Sequence, residues 1–180
     1  MKKTRVFTDD DYISGDGMLT YIWGPSLWHS LHTVSFNYPV KPTREQKEQY
    51  LTFFKSVGTI LPCSYCRENF KKNLKKVPLT MGTMKNRHSF SLWFYELHEE
   101  INKMLGKKSN LSYEDVRDRY EHFRARCLKP SKTKKKSKKE KGCTNPLYGV
   151  KSKCVLNIVP KTKKCKTFNI DRSCKLKKCK

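Results

Sequence analysis

Two cysteines three residues apart are the residues of this sequence best suited to chemistry. Cys63 and Cys66 follow Pro62, which ends one predicted helix and leaves the cysteines at the start of the next. Two sulfurs with this spacing at a helix start lie on one face, close enough to form a disulfide. The helix N-terminus stabilises a thiolate there. The pair is therefore suited to thiol–disulfide exchange.

Zinc binding and simple burial in a core are the alternatives for this motif taken alone. Structural zinc usually needs a second C-x(2–4)-C knuckle or a close histidine pair, and neither follows within residues 1–128. The motif alone therefore favours redox chemistry and leaves zinc open. We assign no metal ligands.

Helical periodicity indicates the elements that must position the pair. A proline after Gly24 starts a first helix, and Thr43 begins the capping box of a second. The cysteines open a third helix, a fourth spans about residues 89–105, and Ser112 starts a fifth. No alternating strand pattern competes before residue 128. The sequence predicts an all-α fold, a four-helix bundle plus a short fifth helix.

Composition divides the chain into this bundle and a basic appendage. Residues 129–180 hold 19 Lys and Arg against two acidic residues, and so carry most of the formal net charge of +24. Such a segment cannot bury a core by itself. We predict a polar leader at 1–22, the bundle at 23–128, a lysine-rich linker at 129–142 and a basic, mostly disordered, cysteine-containing tail at 143–180.

Hydropathy and charge limit the partners of the chain. No segment approaches the ~18 consecutive apolar residues that span a bilayer, and no secretory signal is present. Eight cysteines without such a signal favour redox or metal chemistry over structural disulfides. The lysine-rich tail suits a non-specific anionic partner, nucleic acid or an anionic membrane. The default interpretation is that the tail only makes the chain more soluble.

Two further helical faces carry groups that could hold a ligand. Trp28 and His32 share a face of the first helix, and His98, Asn102 and Leu105 share a face of the fourth. Taken singly, each is more often a core residue than a ligand-binding one. Their combination with the cysteine pair is what distinguishes this sequence.

Together these motifs resemble the Erv/ALR family of FAD-linked sulfhydryl oxidases over about residues 23–127. The family's first helix reads W-x-x-L-H and runs on to Tyr-Pro, its redox motif is P-C-x-x-C, and its fourth helix carries W-x-x-x-L-H-N-x-V-N-x-x-L-x-K. The matching stretches are Trp28 to His32 with Tyr38, Pro62 to Cys66, Trp93 to Lys107, and Arg119-Tyr120.

This chain departs from the family pattern at a few positions. Glu99 stands where the family has Asn, and Leu61 stands where it has Tyr. Many relatives brace the bundle with a further disulfide, at positions that correspond to Lys75 and Asn110 here. None of these changes removes a redox sulfur.

The resemblance implies a non-covalent FAD site in a homodimer. Cys66 would lie against the isoalloxazine ring and pass electrons to it, and Cys63, the more exposed sulfur, would be attacked by the substrate thiolate. The flavin would return the electrons to oxygen, giving hydrogen peroxide. Protein thiols would be the substrates, with a thioredoxin-like carrier among them. By motif position, the FAD-binding residues would be Gly24, Trp28, His32, Tyr38, His98, Asn102, Leu105, Lys107 and Tyr120.

The tail contains a second cysteine pair, Cys174 and Cys179, with C-x4-C spacing. Some relatives carry such a pair on an arm that relays electrons to the bundle, and the same role is one hypothesis here. The alternatives are that the tail cysteines are substrates, are linked to one another, or are dispensable. A basic zinc- or nucleic-acid-binding helical adaptor is the competing function. The family analogy indicates a cytosol-side location (host cytoplasm or virion for a viral protein), with the mitochondrial intermembrane space second.

Overall fold

The computed structural model describes residues 6–127, 142–165 and 169–174 of the 180-residue chain. The helices of this described part are α1 (Asp9–Tyr12), α2 (Thr20–Phe36), α3 (Arg44–Ile60), α4 (Ser64–Lys76), α5 (Arg87–Met104) and α6 (Tyr113–Glu121), with 3-10 turns at Thr83–Lys85 and Arg172–Cys174. A two-residue strand, β1 (Ala125–Arg126), pairs antiparallel with β2 (Asn145–Pro146). Helices α2 to α5 form the four-helix bundle and α6 is the short fifth helix, so the predicted fold class is confirmed.

Side-chain caps fix most of the helix ends that the sequence predicted. Thr43 and Ser112 form capping boxes at the starts of α3 and α6, because each hydroxyl accepts from the third backbone N–H of its helix. Gly106, with φ +65°, follows the end of α5, where the left-handed conformation favours glycine.

The amino-terminal region differs from its prediction. Helix α2 begins at Thr20 rather than at Gly24, and Pro25 lies inside it. A proline this close to the helix start removes only the backbone hydrogen bond to the carbonyl of Tyr21. Within the predicted polar leader, the short helix α1 begins with a capping box between Thr8 and Asp11.

The core of the bundle is aromatic. Phe54, Phe90 and Phe94 are fully buried, and Phe54 meets the other two rings edge-on at 4.9 and 5.2 Å between centroids. Helix α2 packs against α5 and α6, and α4 packs against α3 and α5. Trp28 of α2 and Cys66 of α4 both pack against this core, so the core joins the two halves of the candidate site.

A glycine lets α3 approach α4, the helix that carries the cysteine pair. A Cβ on Gly58 would lie 2.7 Å from Cε1 of the buried Phe70 ring. We therefore expect Gly58→Ala to destabilise the fold by about 1–3 kcal/mol through overpacking. Urea denaturation measures this, with Gly24→Ala as the matched control, because a Cβ there makes only an ordinary 3.8 Å contact. An unchanged midpoint for Gly58→Ala would contradict the prediction.

The start of the tail is tied to the end of the bundle. Cys127 forms a disulfide with Cys143, and the N–H of Leu147 donates to the carbonyl of Arg124 at 2.7 Å. The sequence left the pairing of these cysteines open. Residues 129–141 of the predicted linker lie outside the described residues. The disorder predicted for the tail at 143–180 stays a prediction. In the described part, no helix is long and apolar enough to cross a membrane.

Candidate active site

The cysteine pair forms a disulfide at the start of α4. The Cα atoms of Cys63 and Cys66 are 5.2 Å apart. Cys63 is the N-cap residue, and its Sγ accepts the N–H of Cys66 at 3.2 Å. Because this N–H belongs to the positive end of the helix dipole, charge on the Cys63 sulfur is stabilised there. Both cysteines are half-buried, and Cys66 packs against the aromatic core.

The turn before the pair is held by hydrogen bonds to its carbonyls. The carbonyl of Leu61 accepts from the N–H of Cys63 at 2.8 Å and from Arg67 Nη1 at 2.5 Å. The carbonyl of Pro62 accepts from the N–H of Met18 at 2.9 Å. Sequence analysis identified neither Arg67 nor the leader as part of this site.

A second group of side chains meets between α2 and α5. The ring of Trp28 stacks on His98, with the ring centroids 3.8 Å apart and the planes 2° from parallel. His32 Nε2 lies 2.9 Å from His98 Nδ1, which is a hydrogen bond between the two imidazoles. The structure therefore brings together three of the residues that the sequence predicted.

Tyr120 of α6 also contacts this group of side chains. Its ring stacks on Phe36 at 5.2 Å and on His32 at 5.4 Å, and its hydroxyl is 3.3 Å from His29 Nδ1. Sequence analysis missed His29. The aromatic spacing on α2, from Trp28 and His29 through His32 to Phe36, is the signal that could have identified it.

Burial keeps the imidazoles of His32 and His98 neutral. It lowers the pKa of His32 to about 3 and that of His98 to about 4, and for His98 the nearby Glu99 opposes this shift while the charge of Lys107 adds to it. Burial also raises the pKa of Tyr120 to about 12. A neutral imidazole has one N–H and one lone pair, so each ring can donate one hydrogen bond and accept another.

Two buried polar atoms lack a hydrogen-bond partner in the described part of the chain. They are Nδ1 of His32 and Nδ2 of Asn69. Asn69 lies on α4, one turn after Cys66, and sequence analysis did not select it. Buried polar groups are normally hydrogen-bonded, so each atom suits a contact to a group from outside the protein.

The other predicted binding residues lie around this cluster at different depths. Gly24 is buried one turn before Trp28 on α2. Asn102 Nδ2 donates a hydrogen bond to Glu99 Oε1 at 2.9 Å. Glu99 is the residue that stands in place of the family's asparagine. Lys107 Nζ lies 5.7 Å from the centre of the exposed Tyr21 ring. Leu105 is the C-cap of α5 and is 49% exposed.

Tyr38 lies apart from the cluster. It is fully buried, its hydroxyl donates to the carbonyl of Met84 at 3.0 Å, and its ring packs on Tyr50 and Phe90. The chain turns after α2 ends, which directs this side chain into the core. The structure therefore gives Tyr38 a packing role. Of the tail pair, Cys174 is a half-buried free thiol, and Cys179 lies outside the described residues.

We expect the buried histidines to make the fold sensitive to acid. Their folded pKa values of about 3 and 4 lie below the ordinary value of 6.5, so the unfolded chain takes up protons that the folded chain cannot. This stabilisation is complete above pH 6.5 and is lost as the pH falls towards the folded values, by about 2 kcal/mol per histidine at pH 5.

Urea denaturation at pH 7 and pH 5 tests this expectation. His32→Gln removes one of the two groups, so its stability should fall less between these pH values than that of the wild type. His122→Gln, outside the cluster, is the control and should keep the wild-type dependence. The same loss in all three proteins would contradict the assignment.

Comparisons with known proteins agree with this geometry. The model of the Erv1 / Alr family matches residues 25–121. A probable FAD-linked sulfhydryl oxidase of Acanthamoeba polyphaga mimivirus is 40% identical over 86 residues, which are 48% of this chain and 60% of that protein. An FAD-linked sulfhydryl oxidase of African swine fever virus is 29% identical over 111 residues, 62% of this chain and 90% of that one.

A solved structure shares the fold. The yeast Erv1 core superposes with a TM-score of 0.52 at 26% identity, over 67% of this chain and 94% of that chain. The match to the mimivirus protein spans less than two thirds of that protein's length.

Proposed function

The chain belongs to the Erv1 / Alr family, and on that premise we propose that it is an FAD-dependent sulfhydryl oxidase with Cys63 and Cys66 as its redox pair. The observation that carries the proposal is the position of the disulfide. It caps α4 and packs on the same buried core as the Trp28–His98 stack. A thiol-exchange centre and a flat aromatic binding surface are thus parts of one bundle.

The residues present fit a flavin dinucleotide. Trp28 and His98 offer a flat aromatic surface for a ring. His32 and Asn69 hold buried polar atoms that lack partners in the described part of the chain. Lys107, exposed at the end of α5, supplies a positive charge suited to the pyrophosphate. We propose that FAD is held by Gly24, Trp28, His32, His98, Asn102, Leu105, Lys107 and Tyr120, with Asn69 as an addition.

The chemistry of the chain's own residues is disulfide exchange. A substrate thiolate attacks Cys63 Sγ, the bond to Cys66 breaks, and Cys66 leaves as a thiolate. A second substrate thiolate then attacks the substrate sulfur of the mixed disulfide, and Cys63 leaves with the electron pair. The N–H of Cys66, which already bonds the Cys63 sulfur, stabilises that leaving thiolate.

Each cycle thus leaves two electrons and two protons on the Cys63–Cys66 dithiol and one disulfide in the substrate. FAD, when bound, takes up those two electrons and passes them to oxygen, which becomes hydrogen peroxide. Protein thiols and oxygen are accordingly the proposed substrates.

Purification of the chain tests the proposal directly. The protein should be yellow, with a flavin band at about 450 nm, and it should consume oxygen when given dithiothreitol. The competing adaptor would be colourless and hold stoichiometric zinc, and that result would overturn the proposal. Among the described residues, no group of three or more His, Cys, Asp or Glu side chains could hold a metal ion.

We also propose that Cys174 and Cys179 relay electrons from protein substrates to Cys63. The C-x4-C spacing of this pair is the one that some relatives carry on a relay arm. The double variant Cys174→Ser/Cys179→Ser should oxidise a reduced protein substrate about tenfold more slowly while turning over dithiothreitol at the wild-type rate. Oxygen consumption with each substrate measures this. Unchanged turnover of the protein substrate would exclude the relay.

Assembly and location are proposed on family grounds. A homodimer is expected, and light scattering on the eluting protein would show its mass. The viral relatives favour a cytosol-side location, with the mitochondrial intermembrane space as the second candidate. The lysine-rich tail is proposed to hold non-specific anionic partners.

A further inference from the structure

The leader crosses the backbone directly beside Cys63. We call residues 15–19 the leader strap. The N–H of Met18 donates to the carbonyl of Pro62 at 2.9 Å. The carbonyl of Met18 accepts from the indole Nε1 of Trp23 at 3.0 Å. One strap residue is therefore bonded both to the turn that carries the redox sulfur and to helix α2.

Gly17 makes this approach possible. A Cβ at this position would lie 2.8 Å from the carbonyl oxygen of Pro62 and 3.5 Å from the Cα of Cys63. The first distance is shorter than van der Waals contact allows. Because both atoms belong to the backbone, neither can move aside without shifting the turn. A Cβ on Gly15, two residues earlier, would meet nothing within 4 Å.

Hydrophobic burial does not explain why the strap lies there. Met18 and Leu19 are 69% and 74% exposed, so the strap keeps its place through the hydrogen bonds of Met18 and the close contact at Gly17. Two residues after Cys63, Tyr65 is 65% exposed. The strap therefore lies against the backbone of the turn that carries Cys63, and an exposed aromatic ring follows on the same turn.

We propose that the leader strap makes Gly17 a specificity-determining position for the thiol substrate. The strap narrows the approach to Cys63, so a cysteine in an extended, flexible segment reaches the sulfur more readily than a cysteine on the rigid surface of a folded protein. The inference rests on the proposed function, and it names the substrate class as flexible thiol segments. A small dithiol is insensitive to the strap.

The strap can be displaced without touching a redox residue. In Gly17→Ala the new Cβ collides with the Pro62 carbonyl and lifts the strap. Met18→Pro displaces the strap by a second route, since proline lacks the N–H that bonds Pro62 and its Cδ takes the place of that hydrogen, 2.9 Å from the acceptor when measured from the nitrogen. Gly15→Ala is the matched control, because it makes the same chemical change in the same segment where the space is open.

The experiment measures how fast three thiol probes reduce the Cys63–Cys66 disulfide of the full chain as purified. The probes are dithiothreitol, reduced unfolded ribonuclease A and reduced thioredoxin, and mass-shift labelling of the freed thiols reads out the rate without oxygen. We expect Gly17→Ala and Met18→Pro to raise the rate constant for thioredoxin on the order of fivefold relative to dithiothreitol. The unfolded substrate should change less.

The possible outcomes distinguish a strap that selects thiol substrates from a strap that only supports the disulfide turn. The inference is overturned if both variants show the same ratio of thioredoxin to dithiothreitol rate constants as Gly15→Ala. It is also overturned if the rate constants of all three probes fall by the same factor, because the strap then does not select substrates. Without oxygen, bound flavin can accept the electrons of only one dithiol, so the labelling readout works with or without flavin. A colourless preparation would therefore refute the proposed oxidase while this measurement still decides the role of the strap.

Discussion

Cys66→Ser is expected to lower dithiothreitol oxidation by at least about 10³-fold while the protein stays yellow. The proposed cycle needs both sulfurs, because the electron pair enters by exchange at Cys63 and leaves when the dithiol is reoxidised. Serine keeps the size of the residue but cannot form or break a disulfide. Cys63→Ser should show the same loss, and oxygen uptake together with the flavin spectrum measures both effects.

Replacement of a cysteine outside the pair is the control for this loss. Cys154 and Cys165 are free and exposed, and Cys165→Ser should keep dithiothreitol turnover within about twofold of wild type. Substantial turnover in Cys66→Ser would mean that another sulfur carries the electrons, and the assignment of the redox pair would fail.

The same variants distinguish the roles of the two sulfurs. In Cys66→Ser the remaining Cys63 keeps its N-cap position and the backbone N–H at 3.2 Å, so its thiolate is stabilised. It should form a mixed disulfide with oxidised glutathione on the order of tenfold faster than Cys66 does in Cys63→Ser. The reverse order would assign Cys66 to the substrate and Cys63 to the cofactor side.

The sequence predicted what depends on local pattern. Thr43 and Ser112 cap helices because of hydrogen bonds that close within three residues, and such signals can be recognised without knowing the fold. The meeting of Trp28 with His98 is a contact between helices. It was expected only because the sequence resembles a family, since periodicity shows that each residue lies on a face but not which faces meet.

The features that were missed depend on contacts that are distant in sequence. The strap bond joins Met18 to Pro62, 44 positions later, and the apolar pattern of a largely exposed segment gives no sign of it. Transfer by motif also does not indicate how deeply a residue is buried. Tyr38 matches the family's Tyr-Pro, yet its hydroxyl is already satisfied by Met84 inside the core. Asn69 is the reverse case, because no motif selects it and only its buried Nδ2, which lacks a partner in the described part of the chain, marks it as a site residue.

Trp28→Ala is expected to weaken FAD binding about 100-fold, which corresponds to about 2.7 kcal/mol. The indole supplies a flat surface that stacks on His98 at 3.8 Å and rests against Phe94 at 5.4 Å. Alanine removes this surface and also frees the His98 ring from its stacking partner. Quenching of flavin fluorescence on titration into apoprotein gives the dissociation constant.

A purely structural role for Trp28 would give a different result. A tryptophan that only fills the core would lower the stability of the apoprotein when truncated, with flavin affinity unchanged among the molecules that remain folded. Trp28→Phe separates the two roles, because it keeps a flat ring and should lose less than about tenfold in affinity. Equal losses of affinity in the two variants, or none in Trp28→Ala, would remove Trp28 from the binding site. A large loss of flavin affinity in Trp28→Ala and a small one in Trp28→Phe, both measured on folded apoprotein, would place the indole against the cofactor. A defect in core packing gives no reason for the affinity to depend on whether this side chain is a flat ring.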